Sequence, residues 1–216
     1  MVQAASSRDL QNSPVAIVDD DAILREVLEE MLRDAGFSAA TFESPRQFLS
    51  CSELGEFRLL ITDIRMPEMD GLELQAAVAQ LGLTLPIIVL SGHADVALAV
   101  RAMKAGAADF IEKPPTKDVV IESAWRALEL GEQSRKKAVM IQEVERRIAE
   151  LTARERQVLD MIVAGQPNKI IAYELGLSAR TIEIHRAKLM EKMRARRLSD
   201  LVRFALMAGV GSSIHA

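Results

Sequence analysis

Cysteine is nearly absent from this chain of 216 residues: Cys51 is the only one, so no disulfide can form within the chain. A single cysteine suits a reducing cytosol. The sequence has no apolar run of roughly eighteen residues, the length that would indicate a membrane span. It also lacks the GxxxxGK[ST] pattern of a P-loop nucleotide site. Residues 1–13 contain no apolar core, so we expect a flexible tail there rather than a secretory signal.

Charge is distributed unevenly along the chain. Residues 1–150 carry 16 Lys and Arg against 25 Asp and Glu, a net of −9, whereas residues 151–216 carry 11 against 6, a net of +5. An acidic front and a basic back indicate two modules, the second suited to a polyanion. We therefore expect a first domain over residues 14–128, a helical linker over 129–149 and a second domain over 150–216.

Short apolar runs alternate with amphipathic segments in the front half of the chain. The runs predicted as strands are Val15–Val18, Ala39–Phe42, Leu59–Ile61, Ile87–Leu90 and Asp109–Ile111. A segment with helical spacing of apolar residues follows each run, and glycine or proline separates the elements. Five strands alternating with five helices predict an α/β fold with a doubly wound parallel sheet, covered by helices on both faces.

Polar side chains stand at the ends of four of these strands. The first strand ends at Asp19 and Asp20, the third at Asp63, the fourth at Ser91 and the fifth near Lys113. Right-handed crossovers place these ends at one edge of the sheet, where open α/β sheets bind ligands. Clustered carboxylates repel one another unless a cation neutralises them, and oxygen ligands without histidine or cysteine suit Mg2+. A metal held by Asp20 and Asp63 would also bind a phosphoryl donor. Asp63 could then attack phosphorus, while Lys113 neutralises one phosphoryl oxygen and Ser91 donates a hydrogen bond to another.

Four motifs lie within residues 15–115: IVDDD, LLITDIRMPEMDG, LSGHAD and DFIEKP. As a set they are specific, and they resemble the receiver domain of two-component response regulators. The resemblance implies a five-stranded sheet of order 2-1-3-4-5, with Asp63 phosphorylated by a sensor histidine kinase. It implies that Asp20 binds Mg2+, that Asp19 assists through water, and that the backbone carbonyl of Arg65 is a further metal ligand.

The same resemblance assigns two switch residues. Ser91 would be the switch hydroxyl, where many relatives have Thr, and Phe110 would be the switch aromatic, where many have Tyr. It also suggests that the Lys113–Pro114 peptide bond is cis. Asp21 is expected to cap the next helix or to face solvent, and His93 is expected to lie in an exposed loop.

Haloacid-dehalogenase-type phosphatases also use an aspartate nucleophile at the end of a strand. That family places a second Asp two residues further on, as general acid and base. Here the position is Arg65, which cannot act as a carboxylic acid. The sequence therefore disfavours a turnover phosphatase, and the covalent chemistry that we expect is phosphorylation of Asp63 and its reversal.

The segment between the two modules is compatible with a helix. From Trp125 to Glu150 it contains no proline and one glycine. Its apolar residues, at spacings of three and four, are Ile141, Val144, Ile148 and Leu151. This stripe either forms a short coiled coil or packs on one domain, and the small number of heptads favours packing.

Capping signals and glycines divide the back of the chain into four helices. The predicted caps are Thr152, in a capping box with Glu155, then Ser178 and Ser199. The second helix, Asn168–Leu175, and the third, Ala179 to about Met193, are joined by a tight turn containing glycine, as in helix-turn-helix units. The third helix can bury Ile182, Leu189 and Met193, and its polar outer face fits the major groove of DNA.

Two stretches carry a second resemblance: LTARERQVLDMIVAG and NKIIAYELGLSARTIEIHRAKLMEKM. They resemble the LuxR-type helix-turn-helix over residues 151–210, with the two-helix unit at 168–187. The family's base-contact positions fall on Glu183, Ile184 and Ala187, of which Glu183 could accept from cytosine and Ile184 could touch a thymine methyl. Contacts to phosphates are expected from Lys169, Arg180, Thr181, Arg186 and Lys188.

Two features of this module stay open at the level of sequence. His185 is either structural or close to the DNA backbone. The fourth helix, with Leu201, Phe204 and Ala205, either provides a dimer face or packs on its own domain. Sigma-factor C-terminal regions share the helix-turn-helix pattern, but a receiver domain in front argues against a sigma factor.

Together the two resemblances point to a cytoplasmic response regulator of the FixJ/NarL class, nearer the FixJ type by its SGHAD and SARTIEIHRAK stretches. The expected partners are a sensor histidine kinase, double-stranded promoter DNA and RNA polymerase. No interaction with a membrane is expected. Phosphorylation of Asp63 is expected to promote a homodimer, which would read a roughly two-fold DNA site. The alternative is a phosphorylation-dependent protein adaptor without specific DNA binding.

Overall fold

The computed structural model describes residues 12–92 and 96–210. The chain forms two compact units, divided between Arg135 and Lys136. No helix in the described ranges is both long enough and apolar enough to cross a membrane. The predicted tail at residues 1–13 falls almost entirely outside the described residues, and His93 falls outside them as well.

The first unit is built from strands and helices that alternate along the chain, as its apolar runs predict. Its strands are β1 (Pro14–Val18), β2 (Ser38–Phe42), β3 (Leu59–Asp63), β4 (Ile87–Ser91) and β5 (Asp109–Glu112). Its helices are α1 (Ala22–Asp34), α2 (Pro45–Leu49), α3 (Gly71–Gln80), α4 (Val96–Lys104) and the first part of α5 (Lys117–Ala149). A single turn of 3-10 helix, Leu54–Glu56, precedes β3.

The five strands are parallel, in the order β2-β1-β3-β4-β5, which confirms the expected fold. Because successive side chains of a strand point to opposite faces, each strand contributes to two cores. Val15 and Ile17 pack with Leu28 of α1 on one face, whereas Ala16 packs in the core that contains Leu74 of α3 on the other. Burial on both faces explains why the central strands β1, β3 and β4 are mostly apolar, whereas the edge strands β2 and β5 carry exposed polar residues.

Local hydrogen bonds fix where the first two helices begin. The carboxylate of Asp21 accepts from the backbone N–H groups of Ile23 and Leu24, at 2.9 and 3.3 Å, and so caps α1. Ser44 caps α2, and Pro45 occupies its first position. Asp21 is therefore a helix cap on the surface. Because α1 starts directly after it, the chain turns at the end of β1 and leaves the preceding acids at the edge of the sheet.

Helix α5 runs without interruption because its sequence contains no proline and a single glycine. In the first unit its Val120, Ala124 and Leu128 are buried in the core that contains β1. The glycine, Gly131, has a packing reason. A Cβ atom at this position would lie 2.9 Å from Cγ of Pro86, so any side chain here would push α5 away from the loop before β4.

The second unit contains the end of α5 and four further helices: α6 (Ala153–Val163), α7 (Asn168–Leu175), α8 (Ala179–Lys192) and α9 (Leu198–Met207). Ile182, Leu189 and Met193 are fully buried in its core, as the spacing along the third predicted helix requires. Val144 and Ile148 of α5 are buried in the same core. The last turns of α5 therefore take part in the packing of the second unit.

Gly176 ends α7 with a φ angle of 64°, a left-handed conformation that glycine adopts without steric strain. This residue makes possible the tight turn into α8. The predicted cap at Ser199 is wrong. Helix α9 begins at Leu198, so its N-cap is Arg197, two residues before Ser199, and the carboxylate of Asp200 accepts from the backbone N–H of Arg197 at 3.1 Å.

The inner face of α9 packs on its own domain. Leu201, Phe204 and Ala205 are buried in the core of the second unit, with at most 9% of each residue exposed. Of the two alternatives for the fourth helix, packing is confirmed for these residues, because a face that fills its own core cannot meet a partner. Leu198 and Leu206, elsewhere on the same helix, are exposed.

Candidate functional site

The carboxyl ends of β1, β3 and β5 bring four charged side chains together at one edge of the sheet. Carboxylate oxygens of Asp19, Asp20 and Asp63 lie within 4.8 Å of one another. The ammonium of Lys113 lies 2.7 Å from Asp19 Oδ2 and 2.9 Å from Asp63 Oδ1. The backbone N–H of Lys113 donates to the Ser91 carbonyl at 2.7 Å, which fixes the start of its loop. The Lys113–Pro114 bond is cis, as expected.

The cluster carries more negative than positive charge in a largely buried place. The side chain of Asp19 is 0% exposed and that of Asp63 is 8% exposed. Burial raises the pKa of the Asp19 carboxyl above its usual value, and the hydrogen bond from Lys113 offsets this only in part. Burial also opposes the Lys113 ammonium, but the two carboxylates outweigh it, so the pKa of Lys113 lies above its usual value. The three carboxylates outnumber the one ammonium and offer only oxygen atoms as ligands. This combination fits a hard divalent cation such as Mg2+.

A surface cavity of about 560 Å³ lies beside the acidic cluster. Asp20 and Arg65, two of the predicted metal ligands, both line it, together with Leu98 of α4. Asp20 is exposed, in contrast to the buried Asp19 next to it. The cavity therefore gives solvent and small solutes access to the Asp20 carboxylate.

The two predicted switch residues lie on neighbouring strands. Ser91 is fully buried at the end of β4, directly after Leu90, which is paired with Asp63. Phe110 lies on β5 opposite Val89 and packs, partly buried, against the core that contains α3. The fold thus places the hydroxyl at the acidic edge and the ring on the adjacent strand, and their switch roles stay a prediction.

Three residues that the sequence patterns did not assign to the site support its backbone. A Cβ atom on Gly71 would lie only 2.4 Å from the carbonyl oxygen of Asp63. The hydroxyl of Thr62 donates to that same carbonyl at 3.0 Å, and Arg25 donates to the carbonyl of Asp19 at 2.6 Å. Gly71 had a signal in the sequence, as a chain-breaking residue after the strand. The other two have none, because their contacts depend on how the chain folds.

Helix α8 presents one face to solvent. Its residues Arg180, Glu183, Ile184, Ala187 and Lys188 recur at helical spacing and are all exposed. This face contains all three predicted base contacts and two of the predicted phosphate contacts. Lys169, on α7, is exposed as well. The surface is basic at its ends and apolar or acidic in the middle, which is the distribution expected for phosphate contacts around base contacts.

The remaining predicted contacts make hydrogen bonds within the domain or lie partly inside it. The Thr181 and Ser178 hydroxyls are 2.8 Å apart. Arg186 donates to Asn168 Oδ1 at 2.6 Å, an interaction that no sequence pattern indicated. His185 is half-buried, and its Nδ1 atom is buried with no hydrogen-bond partner among the described residues.

Two family models match this chain. The response regulator receiver domain matches residues 15–124, and the model of bacterial regulatory proteins of the luxR family matches residues 149–205. The chain therefore belongs to the response regulator family and carries a LuxR-type DNA-binding domain, the composition of a two-component transcriptional regulator. Its receiver implies a sensor kinase as partner. Receivers generally bind Mg2+ at an acidic pocket, and Asp19, Asp20 and Asp63 form such a pocket here.

Relatives of known class confirm the expected class. The chain is 45% identical to the transcriptional regulatory protein FixJ of Rhizobium meliloti, over 92% of this chain and 98% of that protein. The solved structure of the response regulator StyR is 36% identical, covers 90% of this chain and 98% of its own, and superposes with a TM-score of 0.74. The solved structure of full-length FixJ from B. japonicum is 40% identical, covers 92% of this chain and 98% of its own, and superposes with a TM-score of 0.55.

Proposed function

We propose that phosphorylation of Asp63 by a sensor histidine kinase controls DNA binding by the second domain. The observation that carries the proposal is the Lys113 ammonium, which pairs with both Asp19 and Asp63 where β1, β3 and β5 end. This arrangement presents a carboxylate nucleophile beside a cation. The functional boundaries that we assign are those expected from the sequence: 14–128 for the receiver, 129–149 for the linker and 150–216 for the DNA-binding domain.

We assign a Mg2+ site to Asp20 and Asp63, with Asp19 acting through water and the backbone carbonyl of Arg65 completing the protein ligands. The excess of negative charge in the cluster supports this assignment. When bound, the ion would neutralise the carboxylates and the incoming phosphoryl oxygens. The cavity lined by Asp20 and Arg65 is the side from which a phosphoryl donor would enter.

The transfer step needs little from the protein beyond positioning and charge. A carboxylate oxygen of Asp63 attacks phosphorus and forms an O–P bond. The P–N bond of the kinase phosphohistidine breaks, and its electron pair returns to the histidine nitrogen. Lys113, already 2.9 Å from Asp63 Oδ1, neutralises a phosphoryl oxygen. Because Arg65 stands where a turnover phosphatase needs an acid, the phosphoryl group persists long enough to act as a signal.

The phosphoryl group then changes the conformation through Ser91 and Phe110. The Ser91 hydroxyl, at the end of β4, donates to a phosphoryl oxygen, and the partly buried Phe110 ring repacks at the face formed by α4 and β5. A shift from roughly 1% to 99% of the active form requires about 5.5 kcal/mol of preference for that form. Contacts in a phosphorylation-dependent homodimer would supply part of it.

The active form is a cytoplasmic dimer that reads a two-fold promoter site and acts with RNA polymerase. Glu183, Ile184 and Ala187 touch base edges from the exposed face of α8. Phosphate contacts come from Lys169, Arg180, Thr181, Arg186 and Lys188. His185 approaches the DNA backbone through the ring edge opposite its buried Nδ1.

Selection of genomic fragments tests this function. Fragments retained by the full-length protein after treatment with acetyl phosphate and Mg2+ are sequenced, then compared with scrambled duplexes in gel shifts at fixed salt. We expect tighter binding to the selected fragments after phosphorylation, and no such gain for Asp63→Asn. Failure to retain any specific duplex, with or without phosphorylation, would contradict the proposal and favour the protein adaptor.

A further inference from the structure

A hydrogen bond joins the two helices of the helix-turn-helix unit on the side of the predicted phosphate contacts. Arg186, in the middle of α8, donates from one terminal guanidinium nitrogen to Asn168 Oδ1 at 2.6 Å. The two residues are 18 positions apart, and Asn168 is the first residue of α7. Ile171 and Ala172, one turn further along α7, are buried in the core, so the position of Asn168 is fixed by the packing of the domain.

The hydrogen bond to Asn168 leaves most N–H donors of the Arg186 guanidinium available for another acceptor. A guanidinium has five N–H donors and no acceptor, and an amide oxygen of one asparagine satisfies only part of this capacity. The group also stands beside the first turn of α7, whose N-cap residue, Pro167, offers no side-chain hydrogen bond. The amino end of a helix is its positive end, so an anion that joins the guanidinium there is favoured by both the cation and the helix.

The other basic side chains of the DNA-facing surface are not held in this way. Among the described residues, Lys169, Arg180 and Lys188 are exposed and make no side-chain hydrogen bond or ion pair within the protein. Such side chains must lose rotational freedom when they bind a phosphate. Arg186 has already lost much of it, since its guanidinium is fixed to a residue anchored in the core.

We propose that Asn168 is a positioning residue of the DNA interface, which holds the Arg186 guanidinium in place for a phosphate of the duplex backbone. The inference rests on the proposed contact between α8 and DNA. It adds Asn168 to that interface. It also distinguishes two basic side chains of α8: Arg186 is held in place before DNA binds, whereas Arg180 becomes ordered only on binding.

A double-mutant cycle tests the coupling. The full-length protein, treated with acetyl phosphate and Mg2+, is titrated into a fluorescein-labelled duplex of mixed sequence at several salt concentrations, with anisotropy as the readout. Arg186→Gln and the matched control Arg180→Gln each remove one charge, so each should reduce the slope of log affinity against log salt by about 1. Asn168→Ala should weaken binding about three- to tenfold. That loss should disappear in the Arg186→Gln background and persist in the Arg180→Gln background.

Asn168→Asp separates positioning from a purely structural role. The carboxylate would bind Arg186 more strongly, so the Tm should be equal or higher, yet its charge beside the phosphate should weaken duplex binding beyond the Asn168→Ala value. If the affinity losses of Asn168→Ala and Arg186→Gln add in the double variant, or if the affinity loss of Asn168→Ala simply follows a fall in Tm, the inference is overturned while the proposed function stands. No duplex binding by the unchanged protein would overturn the proposed function, and this inference with it.

Discussion

Replacement of Lys113 with methionine would remove the ammonium from the acidic cluster and keep a side chain of similar length. In the wild type this ammonium lies 2.7 Å from Asp19 and 2.9 Å from Asp63. Because the Asp19 side chain is fully buried, it would keep an uncompensated charge, which should lower the free energy of unfolding by about 3–5 kcal/mol. That is a large share of the roughly 5–15 kcal/mol that stabilises a typical domain.

The size of this loss should depend on pH and on Mg2+. Burial already raises the pKa of Asp19, and without Lys113 it would rise further. A carboxyl whose pKa is higher in the folded than in the unfolded state stabilises the fold as the pH falls through the folded pKa. The gap between Lys113→Met and the wild type should therefore be widest near neutral pH and narrow in acid. Mg2+ at roughly 100 times its Kd for the variant should stabilise the variant by about 2.7 kcal/mol, and the gap should narrow because the wild type, whose Lys113 ammonium competes with the ion, gains less.

Urea unfolding followed by the fluorescence of Trp125 measures the effect. This is the one tryptophan of the chain, and its ring lies 4.7 Å from that of Phe37 in the first unit. Lys117→Met is the matched control, because Lys117 pairs with Asp34 at 2.7 Å but the two side chains are 49% and 55% exposed, so its loss should stay below about 1 kcal/mol. A Lys113→Met loss no larger than the control, or one indifferent to Mg2+ and pH, would refute the reasoning.

Two further substitutions test other parts of the structure. Gly71→Ala should lower the free energy of unfolding by about 1–3 kcal/mol and slow phosphorylation, because its Cβ would meet the Asp63 carbonyl oxygen at 2.4 Å. Gly55→Ala is the control, since a Cβ there would have no atom within 4 Å. Equal urea midpoints for the two variants would contradict the clash. Glu155→Gln should lower the Tm, because the hydrogen bond from Lys192 holds the pKa of Glu155 at about 2. The lowered pKa of Glu155 in the folded state gives the wild type an advantage of about 1–3 kcal/mol above pH 4.5, which is lost as the pH falls towards 2. The Tm values of the two proteins, followed by circular dichroism, should therefore converge in acid. A Tm difference that stays constant with pH would be inconsistent with the ion pair.

The sheet and its acidic edge follow from local sequence. Each strand is an apolar run ended by a polar residue, and a parallel sheet buried on both faces requires such runs. The polar residues at the strand ends, Asp19, Asp63, Ser91 and Lys113, therefore reach one edge as a consequence of topology. The length of α5 was less apparent: a proposed linker and the last receiver helix are one element, because Gly131 alone does not break a helix.

Contacts between remote residues could not be predicted in this way. The approach of Gly71 to the Asp63 carbonyl and the bond between Asn168 and Arg186 depend on how elements pack, not on any pattern within one of them. The cap of α9 shows the same limit on a small scale. Ser199 has a good capping residue's chemistry, but Asp200 reaches the N–H of Arg197 and starts the helix earlier.

Phosphopeptide mapping of the full-length protein tests the central claim most directly. After incubation with acetyl phosphate and Mg2+, the wild type should gain one phosphoryl group on the peptide that contains Asp63. Asp63→Asn should gain none, and Asp34→Asn, which changes an exposed acid of α1, should be labelled like the wild type. Label that persists in Asp63→Asn, or that maps to another peptide, would contradict the assignment of Asp63 as the phosphoacceptor.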